Sequence, residues 1–278
     1  MFDAKAYYKR LQKYTEDIRK ITDFRPEIAI VLGSGLGNFA DNIDVVCEIP
    51  YSELEGFPVS TAPGHTGAYI MGTLNGVKLI CMKGRIHYYE GYEMSEVVLP
   101  LRLMHMLGAN TVIITNAVGC MNENFSVGSF MVSRDCIASF VPSPLIGQNI
   151  DEFGPRFPDM SEIYDRELNS KVLEIGREKG LEVNEGVFIQ LTGPQYETAS
   201  EIRMYKALGA DCCGMSSAVE AITASHMGMR VCGISCITNM CTGISKTKLS
   251  GEEVIEVGNR VAGDFEKLVT GLVETIGK

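Results

Sequence analysis

The sequence predicts an α/β layered domain, because segments with strand patterns and helix patterns alternate along its 278 residues. Ile28–Leu32 is a short apolar run of the kind that forms a buried strand. Asn75-Gly76 separates two strand-like segments, Ala68–Leu74 and Val77–Lys83, and predicts a tight hairpin turn. No repeat or linker divides the chain, so we expect a single domain over residues 1–278.

Amphipathic periodicity and capping signals predict the helices. A first helix is expected over Asp3–Ile21, and a second from near Ser95 to Gly108, a glycine typical of a helix C-terminus. Another opens at Asp165 and ends near Gly180. Three more start where Ser or Thr precedes Glu by three residues, at Thr198, Ser217 and Ser250, the last continuing to the C-terminus. The remaining expected strands are Thr111–Thr115, Phe130–Phe140, Val187–Leu191, Ala210–Gly214 and Arg230–Thr238, with a proline-rich loop over Ser139–Met160.

Composition limits the classes of partner. Lys and Arg number 25 against 35 Asp and Glu, which gives a net charge of −10 and argues against general binding to nucleic acid or an anionic membrane. No apolar run approaches the roughly 20 residues that cross a bilayer, and Met1–Lys20 lacks a secretory signal. We therefore expect a cytoplasmic protein.

The nine cysteines include no Cys-x-x-Cys pair, which argues against a disulfide framework. A metal site near His226 is conceivable from Cys232, Cys236 and Cys241. Cys232 and Cys236 lie in an apolar strand pattern, however, where a free thiol behaves as a small core residue. We therefore expect no metal.

Polar, glycine-rich segments follow six predicted strands. They are Gly33–Gly37, Gly84–Tyr89, Asn116–Gly119, Thr192–Glu197, Met215–Ser217 and Thr238-Asn239. Ligands of α/β sheets bind beyond the carboxyl ends of the strands. We therefore expect these segments to line one pocket.

Several of these residues suit an anion. In Gly33–Gly37 the glycines let backbone N–H groups approach a phosphate and Ser34 adds a hydroxyl, although a tight turn without a ligand has the same pattern. Arg85 and His87 would point to one side of an extended chain and offer donors to phosphate oxygens; the alternative is a surface Arg and a His with ordinary partners. His65, in a glycine-bracketed loop, and Ser216, at a helix start, are further candidates.

Other residues suit a base with N–H groups. Glu197 could accept N–H groups from a base, and Tyr196 could stack on the ring. The alternative for Glu197 is a carboxylate placed favourably at the start of a helix.

In their order along the chain, these motifs resemble the trimeric purine nucleoside phosphorylases, whose relatives include the methylthioadenosine phosphorylases. The segments that carry the resemblance are Arg25-Pro26, Gly33–Gly37, Pro63–His65, Gly84–Tyr92, Thr115–Ala117, Arg156–Ser161, Gly193–Thr198, Gly214–Ser216 and Ile237–Asn239. The resemblance implies a three-layer α/β fold with a central mixed, partly barrel-like β-sheet flanked by helices. It also implies a homotrimer that needs no cofactor.

The resemblance assigns roles to particular residues. The implied phosphate ligands are Ser34, His65, Arg85, His87, the backbone of Ala117, and Ser216. Tyr89 and Met215 would line the ribose, and Asn116 belongs to the same substrate site. Tyr196 would pack on the base, and Phe157 would reach the sugar site of a neighbouring subunit.

The implied catalytic residues are Asn239, Glu197 and His87. Glu197 would accept the purine N1–H, and Asn239 would bond O6 and N7. The implied reaction is phosphorolysis of 6-oxopurine (deoxy)ribonucleosides, in which positive charge builds on the sugar and negative charge moves into the purine. Because the amide of Asn239 can donate to a 6-oxo group, we expect inosine and guanosine to be preferred to adenosine.

Gly251 departs from the family pattern, because many members have a His there that contacts the 5′-hydroxyl. This leaves a methylthioadenosine-type phosphorylase as the alternative. A dinucleotide-dependent oxidoreductase would need a G-x-G-x-x-G fingerprint, and a serine hydrolase a G-x-S-x-G motif; neither occurs. A non-catalytic binding module would be expected to have lost Arg85, Glu197 or Asn239.

Overall fold

One mixed β-sheet organises residues 2–61 and 67–277, the part of the chain that the computed structural model describes. Its nine strands there are β1 Ile28–Val31, β2 Asp44–Pro50, β3 Ala68–Leu74, β4 Val77–Lys83, β5 Thr111–Cys120, β6 Phe130–Ile137, β7 Val183–Gln190, β8 Cys212–Gly214 and β9 Arg230–Met240. The α-helices are α1 Ala4–Ile21, α2 Met94–Val97, α3 Leu99–Met106, α4 Arg166–Lys179, α5 Ala199–Ala207, α6 Ala218–His226, α7 Gly251–Arg260 and α8 Ala262–Ile276.

Part of the sheet closes on itself. The strand order is β2-β3-β4-β1-β5-β8-β7-β6-β9, and β9 also pairs with β5. Strands β5, β8, β7, β6 and β9 therefore form a closed five-stranded barrel that continues into an open sheet through β1. Strand β5 runs parallel to β1 and β9 but antiparallel to β8, so the predicted mixed, partly barrel-like sheet is confirmed.

Helices cover the open part of the sheet on both faces. Along β1, Ala29 and Val31 pack in the core that contains α1, α3 and α6, whereas Ile28 and Ile30 pack in the core that contains α4 and α8. A strand buried on both faces is apolar throughout, which is why Ile28–Leu32 shows no polar alternation. The predicted three-layer arrangement is confirmed.

The local turn and capping predictions agree with the structure. Asn75 and Gly76 have φ angles of 50° and 85° and join β3 to β4 in an antiparallel hairpin. The capping boxes that start at Thr198 and Ser217 are both complete. At Ser250 only half of the box forms, in which its hydroxyl accepts from the N–H of Glu253.

Two strands are longer than predicted. Strand β5 continues through Cys120 and β9 through Met240, because the two strands pair along their whole length. Asn116, Ala117 and Asn239 therefore lie within strands, and the expectation that they follow strands is wrong.

The other corrections concern element boundaries. Strand β2, whose residues are largely exposed, has no apolar alternation and was not predicted. The predicted helix over residues 95–108 breaks at Val98, because the ring of Pro100 cannot continue a helix through that position. The predicted last helix is two helices, and the bend at Val261 lets this residue join the core beside Phe265. Strand β6 ends at Ile137, and β7 begins already at Val183.

Within the described residues, no helix is long and apolar enough to cross a membrane. All nine cysteines are free thiols, seven of them buried.

Candidate active site

The C-terminal half of β5 is the platform of the candidate site. Gly33, in the segment after β1, packs so tightly on it that a Cβ atom at this position would lie 2.5 Å from Cα of Asn116. The Gly33 N–H donates to Oγ1 of Thr115 over 3.1 Å, and that hydroxyl donates to the carbonyl of Val31. The backbone directly before Ser34 is thereby fixed against Asn116.

Arg85 lies two residues after the end of β4 and is almost fully buried, with 1% of its surface exposed. Its Nε donates to Oε1 of Glu220 over 3.0 Å, and its Nη1 donates to Oγ of Ser216 over 3.0 Å. Burial of a guanidinium requires a countercharge, and Glu220 supplies it. The Arg85 fork is therefore fixed beside the Ser216 hydroxyl.

Glu220 connects Arg85 to the start of α6. Its second oxygen, Oε2, accepts the N–H of Ser217 over 2.8 Å. Ser217 has φ 83°, a strained conformation for a residue with a side chain. Sequence reasoning assigned Glu220 only to helix capping. The Ser217-x-x-Glu220 pattern marked the residue, but nothing in the sequence revealed its contact with Arg85.

His87 faces Glu90 rather than open solvent. Its Nδ1 lies 3.2 Å from Oε1 of Glu90, and its ring stacks on Tyr89 with centroids 4.8 Å apart. Glu90 also accepts hydrogen bonds from the N–H and hydroxyl of Thr61. Burial raises the pKa of Glu90, but the bonds from His87 and Thr61 outweigh it and lower the pKa to about 2.

An ionised Glu90 can only accept hydrogen bonds, so Nδ1 of His87 carries a hydrogen and donates it to this carboxylate. The same carboxylate fixes Thr61, the residue before segment 62–66. His65 belongs to that segment and lies outside the described residues.

Glu197, just before α5, is partly buried and contacts one of a pair of thiols. Its Oε2 lies 3.6 Å from Sγ of Cys213, which lies 3.4 Å from Sγ of Cys241. Burial raises the pKa of Glu197, and hydrogen bonds from its own backbone N–H and from Cys213 only partly offset this. The preceding Tyr196 is 40% exposed.

Asn239 lies opposite Gly119 in the β5–β9 ladder and is buried. A Cβ atom at Gly119 would lie 3.2 Å from Nδ2 of Asn239 and 3.0 Å from Sγ of Cys241. The amide Nδ2 donates to the carbonyl of Met240, and Oδ1 accepts from the hydroxyl of Thr238. Because an amide has two donor hydrogens and two acceptor positions, Asn239 can make further bonds of both kinds to a ligand.

The two ends of the site meet on one short segment, Cys213–Ser216. Glu197 contacts its first residue, and Arg85 contacts its last. Three residues of extended chain span at most about 10–11 Å. Between them, Met215 packs directly on Gly193 of the segment after β7. The structure thus brings Arg85, Ser216, Met215 and Glu197 to one edge of the barrel.

Phe157 occupies the loop between β6 and α4. Its side chain is 89% exposed, and the Arg156 guanidinium lies 5.6 Å from the centre of its ring. The structure therefore places this residue at the surface.

Comparison with known proteins identifies the family. The model of the phosphorylase superfamily matches residues 27–274. Purine nucleoside phosphorylase 1 of Geobacillus stearothermophilus is 46% identical over 253 residues, which cover 91% of this chain and 92% of that protein. This chain belongs to the purine nucleoside phosphorylase family.

Other relatives of the phosphorylase agree in sequence and in fold. The purine nucleoside phosphorylase of Bos taurus is 40% identical over 276 residues, covering 97% of this chain and 96% of its own. The crystal structure of Schistosoma mansoni purine nucleoside phosphorylase in complex with inosine superimposes with a TM-score of 0.92 at 35% identity, covering 97% of both chains. The family predicted from the motifs is confirmed.

The substitution Glu90→Gln should destabilise the phosphorylase in a pH-dependent way. A carboxyl whose pKa falls from 4.5 to about 2 on folding stabilises the fold above pH 4.5, and this contribution is lost as the pH falls towards 2. We expect the variant to lose about 1–2 kcal/mol of its free energy of unfolding at pH 7, less than the full shift implies because the Gln amide oxygen can still accept one hydrogen bond. Denaturant unfolding between pH 7 and pH 3 measures this.

Glu93→Gln, which removes an exposed carboxylate one turn away, serves as the control. A difference between wild type and Glu90→Gln that stayed constant over this pH range would contradict the assignment of Glu90 as ionised and hydrogen-bonded.

Proposed function

We propose that this phosphorylase splits 6-oxopurine nucleosides, chiefly inosine and guanosine, with inorganic phosphate. The products are the free purine and (deoxy)ribose 1-phosphate. The supporting observation is that Arg85 with Ser216, and Glu197, are held at opposite ends of the same segment, Cys213–Ser216. A cationic site and a carboxylate at this separation suit a phosphate and a purine on opposite sides of one sugar.

The proposed phosphate site uses charge-assisted hydrogen bonds. Its ligands are Ser34, His65, Arg85, His87, the Ala117 backbone and Ser216. Arg85 matters most, because the net charge of −10 repels anions and a planar guanidinium compensates locally. Because Glu220 accepts a hydrogen bond from Nε of Arg85, the guanidinium is oriented before phosphate binds.

The proposed base site discriminates by hydrogen bonding. Ionised Glu197 accepts the purine N1–H, and the Asn239 amide bonds O6 and N7, while Tyr196 packs on the ring. As the C1′–N9 bond breaks, electrons move into the purine, and the Asn239 amide donates to the atoms that receive them. Phosphate attacks the sugar from the other face and neutralises its positive charge. Partial burial of Glu197 strengthens its bond to N1–H.

Further residues contact the sugar in the proposed site. Tyr89 and Met215 line the ribose, and Asn116 supports the same wall from β5. The exposed ring of Phe157 suits a contact with the sugar site of a neighbouring subunit in a homotrimer. A cytoplasmic location remains a prediction from the sequence.

Solved structures of similar phosphorylases contain ligands of this class, and one, of Schistosoma mansoni purine nucleoside phosphorylase, contains adenosine. Crystal structures of Schistosoma purine nucleoside phosphorylases contain hypoxanthine and guanosine, at TM-scores of 0.91 and 0.90. Another, of isoform 2, contains cytosine and ribose-1-phosphate. The relatives described above are all purine nucleoside phosphorylases, so they do not favour the methylthioadenosine-type alternative.

Nucleoside cleavage should depend on phosphate. We expect hypoxanthine release from inosine only when inorganic phosphate is present.

Ser216→Ala should raise the KM for phosphate about 5- to 30-fold, because it removes one hydrogen bond to an anion. Initial rates at varied phosphate measure both effects, with Ser170→Ala on the exposed face of α4 as control. Release of free ribose in phosphate-free buffer would redirect the assignment to a hydrolase.

Asn239→Asp should change the preferred base. A carboxylate cannot donate to the 6-oxo group but can accept from a 6-amino group. We expect kcat/KM for inosine to fall about 10- to 100-fold, and the adenosine-to-inosine ratio to rise. Asn124→Asp, at an exposed turn, controls for the added charge. Equal efficiency of the wild type on inosine and adenosine would refute the proposed role of this amide.

A further inference from the structure

A pair of buried thiols lies beside the proposed base site. Cys213 belongs to β8, and Cys241 follows β9, so the two strands flank β5. Their sulfurs approach to 3.4 Å across Gly119, where a Cβ atom would lie 3.0 Å from one sulfur and 3.6 Å from the other. The two thiols meet because the residue of β5 between them has no side chain.

The thiol pair also contacts Glu197. Sγ of Cys213 lies 3.6 Å from Oε2, within the range of a hydrogen bond that involves sulfur. Each thiol has one hydrogen, and an ionised carboxylate can only accept. The Cys213 S–H therefore donates to Glu197, and the Cys241 S–H donates to the Cys213 sulfur.

We propose that Cys213 is a positioning residue that orients the Glu197 carboxylate towards the purine N1–H, and that Cys241 fixes the direction of the Cys213 thiol. This inference rests on the proposed function of Glu197. An S–H group is a weak donor, so it holds one carboxylate oxygen while withdrawing little of its charge. Glu197 is thereby oriented and remains a strong acceptor for the base.

The same contact sets a pH dependence. The titratable groups that shift the pKa of Glu197 are Cys213 and Glu201. Glu197 in turn raises the pKa of Tyr196 and of Tyr205 in α5, and Tyr196 also lies near Glu252 and Glu253 of α7. Burial and Glu201 raise the pKa of Glu197, whereas Cys213 lowers it. Without the thiol, Glu197 would take up a proton at higher pH. The acid limb of kcat/KM for inosine should therefore move to higher pH.

The test compares Cys213→Ala with Cys213→Ser, which restores a donor. We expect Cys213→Ala to raise the KM for inosine about 5- to 20-fold, as for loss of a hydrogen bond to a charged group, with the KM for phosphate within about twofold of wild type. The acid limb should shift upward in Cys213→Ala and return in Cys213→Ser. Cys232→Ala is the matched control, because this buried thiol faces the Asn169 side chain, seven or more residues from the site along β9.

A double-mutant cycle separates orientation of Glu197 from simple packing. If Cys213 acts through Glu197, Cys213→Ala should add little to the effect of Glu197→Gln on kcat/KM for inosine. Additive effects would overturn the inference, as would a wild-type KM and pH profile for Cys213→Ala beside an impaired Glu197→Gln. Those outcomes leave the proposed function intact. Wild-type activity of Glu197→Gln itself would instead refute the proposed role of the carboxylate, and the inference with it.

Discussion

The candidate site depends on close backbone packing around the C-terminal half of β5. This strand belongs to both the open sheet and the barrel, so β8 and β9 flank it where the site begins. Gly33 and Gly119 allow the neighbouring segments to approach to distances that a Cβ atom would prevent. The fold therefore positions the anion end through the backbone contact at Gly33, and the base end through side chains that pack on Gly119.

The two ends of the site have opposite electrostatic character. At one end the Arg85 guanidinium is buried beside Glu220. The ion pair fixes the orientation of the guanidinium and neutralises part of its positive charge. At the other end Glu197 is a carboxylate whose pKa is raised by burial. During phosphorolysis, electrons flow from the phosphate side towards the purine side. In the proposed mechanism the protein supplies cationic donors where the dianion binds, and amide donors where the leaving base becomes negative.

Local signals in the sequence predicted local structure well. Asn75-Gly76 and the capping boxes at Thr198 and Ser217 depend on residues close in the chain, and all three form as expected. The ends of strands were less predictable. Strands β5 and β9 are long because they pair with each other, although more than a hundred residues separate them in the chain. Strand β2 lies at an edge and carries no apolar pattern.

Among the polar residues of the site, too, those with a local signal were predicted and those that depend on distant contacts were not. Positions after strands pointed to Arg85 and Glu197 from sequence alone. Asn239 lies within β9, and only the likeness to one family pointed to it. The contacts of Glu220 and Cys213 with the site were not predicted. Each residue acts through a partner distant in the chain, and neither belongs to a recognisable ligand-binding motif. A capping glutamate and a strand cysteine look structural until their neighbours are known.

In the proposed mechanism one cleft holds a phosphate at Arg85 and a purine at Glu197. A crystal structure with inorganic phosphate and hypoxanthine bound would show where both ligands lie. We expect phosphate oxygens about 3 Å from the Arg85 guanidinium and the Ser216 hydroxyl, with hypoxanthine N1 at the same distance from Glu197. Binding of the two ligands in separate clefts, or of hypoxanthine away from Cys213–Ser216, would contradict it.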